Sequence, residues 1–341
     1  MPNAVDTYLD HNATTPVRPE AAEAVVEAMS RHGNASSVHR FGRLVRHTVD
    51  EAREAVAVLV GVSAANVIFM SGGTEANNQA LRGHDGHAGP VIVSAVEHDS
   101  VLAAADAKRI PVDARGVVRL DALENLLAET TGSALVSVML SNNETGVLQP
   151  VGGVVALARN HGARVHCDAI QGAGKIDVSF DALGVDMMSL SAHKLGGPQG
   201  VGALIVRDGL DIEPLLRGGG QERRRRAGTE NVPGIAGFGA AARAAQRDLE
   251  DFARLAELRD GMEARLRAAA PDLVVHGAEA ERLPNTGCLG LPGISAELQV
   301  MQLDLAGVAV SAGSACSSGK VTPSHVLRAM GLDEEAARSA I

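Results

Sequence analysis

The sequence has little of what secreted, disulfide-bonded or nucleic-acid-binding proteins contain. It has no tryptophan, and aromatic residues make up 2% of its 341 residues, so a core must be built from alanine, valine and leucine. Its 3 cysteines are too few and too scattered for a disulfide framework, and their odd number directs attention to one reactive thiol. A net charge of −10 argues against direct nucleic-acid binding.

Long apolar runs are also missing. The longest, Val91–Ala95 and Ala134–Leu140, are far too short to cross a bilayer. The segment Met1–Asp6 has no basic start followed by an apolar stretch, so it does not form a secretory signal. The sequence therefore predicts a cytoplasmic protein without membrane contacts, and no ligand pattern in it predicts a metal site.

What is present is a regular alternation of helix and strand signals. Pro19–Ser30 and Gly42–Val60 carry apolar residues at helical spacing and predict helices. Short apolar runs predict buried strands at Val67–Met70, Val91–Val93, Ala134–Leu140, Arg164–Cys167, Met187–Leu190 and Gly202–Val206. Because helical segments separate most of these runs, the pattern predicts a mostly parallel sheet covered on both faces. A long helix is predicted within Gly237–Ala270, and a smaller α+β unit is predicted after it.

The first chemical motif surrounds Lys194. This lysine directly follows an apolar strand and precedes the turn Gly196-Gly197-Pro198. A lysine that forms a Schiff base needs such a setting, partly desolvated and rigidly held among small neighbours. Taken alone, the motif is equally compatible with an ordinary lysine at the end of a strand.

The second motif begins at Asp168, at the carboxyl end of a predicted strand. Ligands bind at this position in open α/β sheets. A pyridine nitrogen needs an anionic partner to remain protonated, and Asp168 fits that role. Gln171, three residues later, could reach a hydroxyl group on the same pyridine ring. The alternative for Asp168 is a helix N-cap, which is common at strand-to-helix turns.

The third motif, Ser71-Gly72-Gly73-Thr74, follows a strand and opens a helix. Backbone N–H groups and the helix dipole at such a turn can hold a phosphate. It is not a Walker loop, because no Lys-Ser/Thr pair follows. Alone it is weak evidence, but it gains weight beside a strand-end aspartate and a lysine.

The fourth motif is the segment Ser311–Lys320, which places Cys316 among serine, glycine and alanine. Such neighbours cannot bury a cysteine, so the sequence predicts an exposed loop with a reactive thiol. Cys167 and Cys288 lie among strand-forming residues and are predicted to be inert core cysteines.

Together these segments resemble a cysteine desulfurase of the nitrogen-fixation and iron–sulfur-cluster branch, in the class V aminotransferase family. The resemblance covers nearly the whole chain. Its ordered matches are Tyr8–Pro16, Gly33–His39, Gly72–Thr74, Glu97–His98, Asn142–Gly146, Asp168–Gln171, Ser191–Lys194, Arg226–Asn231 and Ser311–Cys316. The implied fold is α/β, that of a fold-type I transferase dependent on pyridoxal 5′-phosphate (PLP), with a large mostly parallel-sheet domain and a smaller α+β domain.

The resemblance also implies roles for individual residues. Lys194 forms the Schiff base, Cys316 carries the sulfur as a persulfide, and His98 stacks on the ring and transfers protons. The implied cofactor-binding residues are Lys194, Asp168, Gln171, Thr74, Gly73, Ser191, His193, Asn143 and Thr229. Thr229 is expected to reach the phosphate of a neighbouring subunit, which implies a homodimer. The implied substrate is L-cysteine, and the sulfur acceptor is a protein such as an iron–sulfur scaffold or a tRNA-thiolation protein.

The resemblance assigns residues 15–250 to the large PLP-binding domain and residues 1–14 and 251–341 to the smaller domain. The sequence departs from the family pattern in the smaller domain. The family continues with an arginine that grips the substrate carboxylate. That position falls just after Ile341, and Arg338 does not match it. We therefore expect either that the smaller domain is truncated in this chain or that the protein lacks this clamp.

Two kinds of alternative function remain open on the sequence. A selenocysteine lyase, another class V aminotransferase or a kynureninase-like hydrolase would share the cofactor site without needing Cys316. A non-catalytic partner protein derived from a desulfurase would bind PLP without releasing alanine from cysteine.

Overall fold

The computed structural model describes residues 7–83, 89–313 and 323–341. The strands of this part of the chain are β1 Thr7–Tyr8, β2 Val67–Met70, β3 Val91–Ser94, β4 Ala107–Ile110, β5 Leu135–Ser137, β6 Arg164–Asp168, β7 Met187–Ser191, β8 Gly202–Val206, β9 Val274–His276, β10 Cys288–Gly290 and β11 Val308–Ala309. The helices are α1 Pro19–Ser30, α2 Arg40–Leu59, α3 Gly73–Arg82, α4 Asp99–Leu102, α5 Leu120–Ala128, α6 Val151–Asn160, α7 Phe180–Leu183, α8 Val232–Arg247, α9 Leu249–Ala253, α10 Leu255–Ala269, α11 Ala296–Leu305, α12 His325–Ala329 and α13 Glu334–Arg338.

A seven-stranded sheet forms the centre of the fold, in the order β2-β8-β7-β6-β5-β3-β4. Only β8 runs antiparallel to its neighbours in this sheet, so the predicted mostly parallel arrangement is confirmed. Alternate residues of β2 pack into different clusters, with Phe69 in the larger one and Ile68 in the smaller one. Both faces of the sheet are therefore buried, as continuous apolar strands require.

The helices that cover the larger cluster approach one another closely because they carry small residues. Helix α8 packs against both α1 and α2. A side chain added at Gly239 of α8 would place its Cβ 2.6 Å from the Cα of Ala52, so this contact between α8 and α2 requires glycine. The aromatic-poor composition thus reappears as a core of small side chains packed at short distances.

Two sequence predictions differ from the structure. The long helix predicted within Gly237–Ala270 is wrong, because α8, α9 and α10 are separated at Asp248 and Arg254. Aspartate is a poor residue for a helix interior, and the Asp248 carboxylate instead pairs with Arg18 at 2.6 Å. Strand β4 was not predicted, since its Lys108 and Arg109 are exposed at the sheet edge.

The residues after α8 add two small sheets. Strands β9 and β10 pair antiparallel, and β11 pairs in parallel with β1 from the start of the described chain. The α+β character expected of this part is therefore observed. Among the helices described, none combines the length and apolarity needed to cross a membrane.

A buried histidine links three central strands. His166 of β6 is 0% exposed, its Nδ1 lies 2.8 Å from the Ser137 hydroxyl of β5, and its Nε2 lies 2.9 Å from the Ser189 hydroxyl of β7. Burial lowers the pKa of His166 to about 3. The folded protein therefore keeps this imidazole neutral.

This burial predicts acid sensitivity. The unfolded chain protonates His166 near its ordinary pKa of 6.5, whereas the folded chain resists protonation down to a pKa of about 3. The contribution of His166 to stability is therefore complete above pH 6.5 and is lost as pH falls towards 3. Denaturant unfolding between pH 6.5 and about 5 should show a loss of up to about 1 kcal/mol per pH unit, and the loss should be smaller for His166→Asn. An equal pH dependence in both proteins would contradict this assignment.

Candidate active site

The predicted site residues gather at one edge of the sheet. Asp168 and Ser191 end the parallel strands β6 and β7, while Gly73 and His98 follow the ends of β2 and β3. Asn143 follows β5, and the first residue of the antiparallel β8 pairs with the last residues of β2 and β7. Parallel strands thus bring residues from distant parts of the sequence to one crevice, where open α/β sheets bind ligands.

A cavity of about 480 Å³ lies over the start of α3. It is lined by Ala13, Thr14, Ser71, Gly72, Gly73, Thr74, Glu75, Ser191, His193, Gln199 and Gly200. A Cβ at Gly73 would come within 2.2 Å of the Ile170 Cδ1, so a larger residue where α3 begins would require the Ile170 side chain to move. The first N–H groups of a helix have no partner within it, and here they border the cavity, as an anion site requires.

His193 lies on the wall of this cavity. Its Nδ1 is 3.3 Å from the Thr14 hydroxyl. Burial, and secondarily the charges of Lys194 and Lys175, lower the pKa of His193 to about 4. This concentration of positive charge beside a helix start favours a phosphate in the cavity.

Asp168 is the last residue of β6 and is 4% exposed. Its Oδ2 accepts a hydrogen bond of 2.7 Å from Asn77, and its Oδ1 accepts one of 3.0 Å from the Ile170 N–H. Burial raises the pKa of Asp168, and no ion pair to this carboxylate is found among the described residues. A buried carboxylate without a paired cation fits a ligand that brings a positive ring nitrogen.

Asn77 connects Asp168 to His98. The Asn77 Nδ2 also donates to the Ser100 hydroxyl at 2.9 Å, and that hydroxyl lies 2.8 Å from the Nδ1 of His98. The Ser100 N–H donates to the same Nδ1 at 3.1 Å. Because Nδ1 accepts this bond, a neutral His98 carries its proton on Nε2, where it is available for transfer.

The amine of Lys194 lies next to the cavity. The residue ends a short 3-10 turn after β7, and its Nζ donates to the backbone carbonyls of Asn12 and, at 3.0 Å, of Ala13. Gln171 donates from Nε2 to the Asn12 carbonyl at 2.9 Å. Asn143 joins this group through its own carbonyl, which accepts from the Asn12 side chain at 3.1 Å.

One predicted residue of the described chain lies apart from this group. Thr229 is exposed and borders a separate cavity of about 100 Å³ beside the first, together with Ser71 and Gly200. Cys316 lies outside the described residues. The other two cysteines, Cys167 and Cys288, are buried as predicted, and burial raises the pKa of both thiols.

The structure also brings to the site three residues to which the sequence analysis assigned no role. Asn12, Asn77 and Lys175 all contact predicted site residues. Asn12 contacts Gln171 across 159 positions of the sequence and Asn77 contacts Asp168 across 91, whereas Lys175 follows its partner Gln171 by four.

These features fit pyridoxal 5′-phosphate, the cofactor implied by the resemblance. The cavity at the start of α3 suits its phosphate, and the unpaired charge of Asp168 suits its ring nitrogen. The Lys194 amine, which donates to the carbonyl of Ala13 on the cavity wall, would supply the nitrogen with which the aldehyde of this cofactor reacts.

Comparisons with known proteins agree with this geometry. The family model described as aminotransferase class-V matches residues 7–340. A cysteine desulfurase of Cereibacter sphaeroides is 44% identical over 98% of this chain and 89% of its own length. The cysteine desulfurase IscS of Dictyoglomus turgidum is 41% identical over 98% of this chain and 88% of its own length. The X-ray structure of a NifS-like protein from Rickettsia africae is 35% identical, covers 98% of this chain and 92% of its own, and superposes with a TM-score of 0.91.

Proposed function

The chain belongs to the class V aminotransferase family and, within it, to the cysteine desulfurases, and from this premise we propose how its residues convert L-cysteine to L-alanine. It depends on PLP, which supplies an electron sink when bound. The observation that carries the proposal is the placement of Asp168 and Lys194 at the ends of adjacent strands, beside the cavity at the start of α3.

Each residue has a distinct task. Lys194 holds the cofactor and then takes a proton from the α-carbon of cysteine. Asp168 keeps the nitrogen of the cofactor ring protonated. His98 acts as the proton donor of the site, through the proton on its Nε2. Gly73, Thr74, Ser191 and His193 hold the phosphate, Gln171 contacts the ring oxygen, and Asn143 lies near the substrate carboxylate.

The sulfur transfer completes the proposal. The Cys316 thiolate attacks the sulfur of cysteine, forming a sulfur–sulfur bond while the carbon–sulfur bond breaks. The electron pair of that bond stays with the carbon, which takes up a proton and leaves as alanine. One thiol and one cysteine thus yield one persulfide and one alanine, and no external oxidant is needed.

The direct test is to supply L-cysteine with a thiol reductant and to measure alanine and sulfide. We expect the two products in equal amounts. A protein that binds PLP but releases neither product would instead be a non-catalytic relative, while release from selenocysteine alone would indicate a selenocysteine lyase.

We also propose that the protein is a cytoplasmic homodimer with a domain boundary near residue 250. It would deliver sulfur to an acceptor protein, such as an iron–sulfur scaffold or a tRNA-thiolation protein. Thr229 is exposed on its own subunit, where a phosphate of a second subunit could reach it. Apolar side chains are exposed on α1 and α2, and these are Val26, Met29, Phe41, Leu44 and Val58. They supply a surface that association would cover.

The proposed dimer is tested by its mass and by a substitution of Thr229. Light scattering should give twice the mass of one chain. Thr229→Val should weaken cofactor affinity by about tenfold, because a hydrogen bond to a charged phosphate is lost. The matched control is Thr130→Val, whose hydroxyl donates to the Leu126 carbonyl at 2.7 Å before β5, on the opposite side of the sheet. A monomeric mass with cofactor bound would contradict the dimer.

A further inference from the structure

Lys175 is a second lysine buried at this site, and the proposed chemistry gives it no task. It is 3% exposed and follows Gln171 by four residues. Its Nζ donates to the Gln171 Oε1 at 2.8 Å and to the Asn12 Oδ1 at 3.2 Å. Within the described chain it forms no ion pair with a carboxylate, so a charged amine is held here by amide oxygens alone.

Lys175 and the Asn12 carbonyl together decide how the Gln171 amide is turned, because one can only donate to it and the other can only accept from it. A protonated lysine can only donate, so the amide must present its oxygen to Lys175. Its NH₂ group then faces the Asn12 carbonyl at 2.9 Å, which also accepts from the Lys194 amine. The NH₂ group of Gln171 therefore lies on the side of Lys194, where the cofactor attaches.

We propose that Lys175 is a positioning residue of the cofactor site, which keeps the Gln171 amide turned with its NH₂ group towards the ring oxygen and places a positive charge beside Lys194. This rests on the proposed roles of Gln171 and Lys194. Without Lys175 only the hydrogen bond to the Asn12 carbonyl would hold the amide in this orientation. An amide that turned over would present its oxygen to the ring oxygen, and two acceptors repel each other.

The charge of Lys175 has a second consequence. Burial, followed by the charge of Lys194, lowers the pKa of Lys175 to about 7. His193 is the other basic group in this cluster, and both lysines lower its pKa. A positive charge beside Lys194 disfavours protonation of the Lys194 nitrogen, and the anionic cofactor, once bound, stabilises the charged form of Lys175.

The test compares two substitutions of equal length in the holoenzyme. Lys175→Met removes both the donor and the charge, whereas Lys175→Gln keeps a donor and removes the charge. Absorbance of the bound cofactor is titrated against pH, and the rate of cofactor release is measured after dilution. Both variants should raise the pKa of the absorbance change by about one unit. Only Lys175→Met should also release the cofactor about tenfold faster.

A double variant separates positioning from a general loss of structure. If Lys175 acts through Gln171, then Lys175→Met combined with Gln171→Leu should release the cofactor no faster than Gln171→Leu alone. Additive effects, or a Lys175→Met protein with parental titration and release, would overturn the proposal. Should Lys175→Met fail to fold, an unchanged titration in Lys175→Gln would overturn it. A parent protein without any bound cofactor band would contradict the proposed function instead.

Discussion

Replacing Cys316 by serine is expected to lower alanine release from L-cysteine by at least about a thousandfold, since removing a nucleophile from a catalytic set has effects of this size. Serine cannot accept sulfur, because an alkoxide is not available near neutral pH and its attack would not give a persulfide. The bound cofactor should keep its absorbance and should still respond to added cysteine, since the residues proposed to hold it are unchanged. Alanine formation in single turnover measures the loss.

The matched controls are the other two cysteines. Cys167 and Cys288 are buried, and burial raises the pKa of both thiols, so neither is a competent nucleophile. Cys167→Ala and Cys288→Ala should retain turnover if thermal unfolding shows that they fold. Alanine release at the parental rate by Cys316→Ser would point to a lyase that uses no protein thiol.

The second large effect concerns Lys194. Lys194→Ala should abolish the covalent attachment of the cofactor that borohydride fixes in the parent protein, because only an amine at this position is proposed to bond to the cofactor. Turnover should fall by at least about a thousandfold, since the same amine is proposed to take the α-proton. Mass spectrometry of the reduced protein measures the attachment.

Lys175 provides an informative control for this experiment. It is buried near Lys194, so it is the residue that could be mistaken for the attachment site. Lys175→Met should keep the borohydride-fixed cofactor on Lys194. Fixation that persists in Lys194→Ala and moves to Lys175 would show that the two lysines had been assigned the wrong way round.

The central strands could be predicted because a buried strand is recognisable as a short run of apolar residues in the sequence. A strand covered on both faces is apolar throughout, and β2, β7 and β8 lie at or within one residue of their predicted bounds. Strand β4 has no such apolar run, because its consecutive residues Lys108 and Arg109 are both exposed at the edge of the sheet. The long helix failed because composition does not reveal that Asp248 pairs with Arg18 and ends α8.

Asp168, Lys194 and Gly73 could be predicted as site residues by the same logic, since a residue that follows a buried parallel strand lies at the sheet edge. The roles of His98, Asn143 and Thr229 came only from the family resemblance. The partners of the site residues could not be predicted in this way. Asn77 meets Asp168 across 91 positions of the sequence, and Lys175 meets Asn12 across 163. Such contacts depend on how helices pack on the sheet and on where the chain returns, which spacing and composition do not specify.

The proposed mechanism requires that the sulfur of the substrate cysteine is transferred to the thiol of Cys316. The most direct measurement mixes the holoenzyme with one equivalent of L-cysteine, traps thiols with an alkylating reagent, and examines the cysteine-containing peptides by mass spectrometry. We expect that, of the cysteine-containing peptides, only the one with Cys316 gains a sulfur atom. The amount of this modified peptide should equal the amount of alanine released. Alanine released in full while the Cys316 peptide remains unmodified would contradict the proposed mechanism.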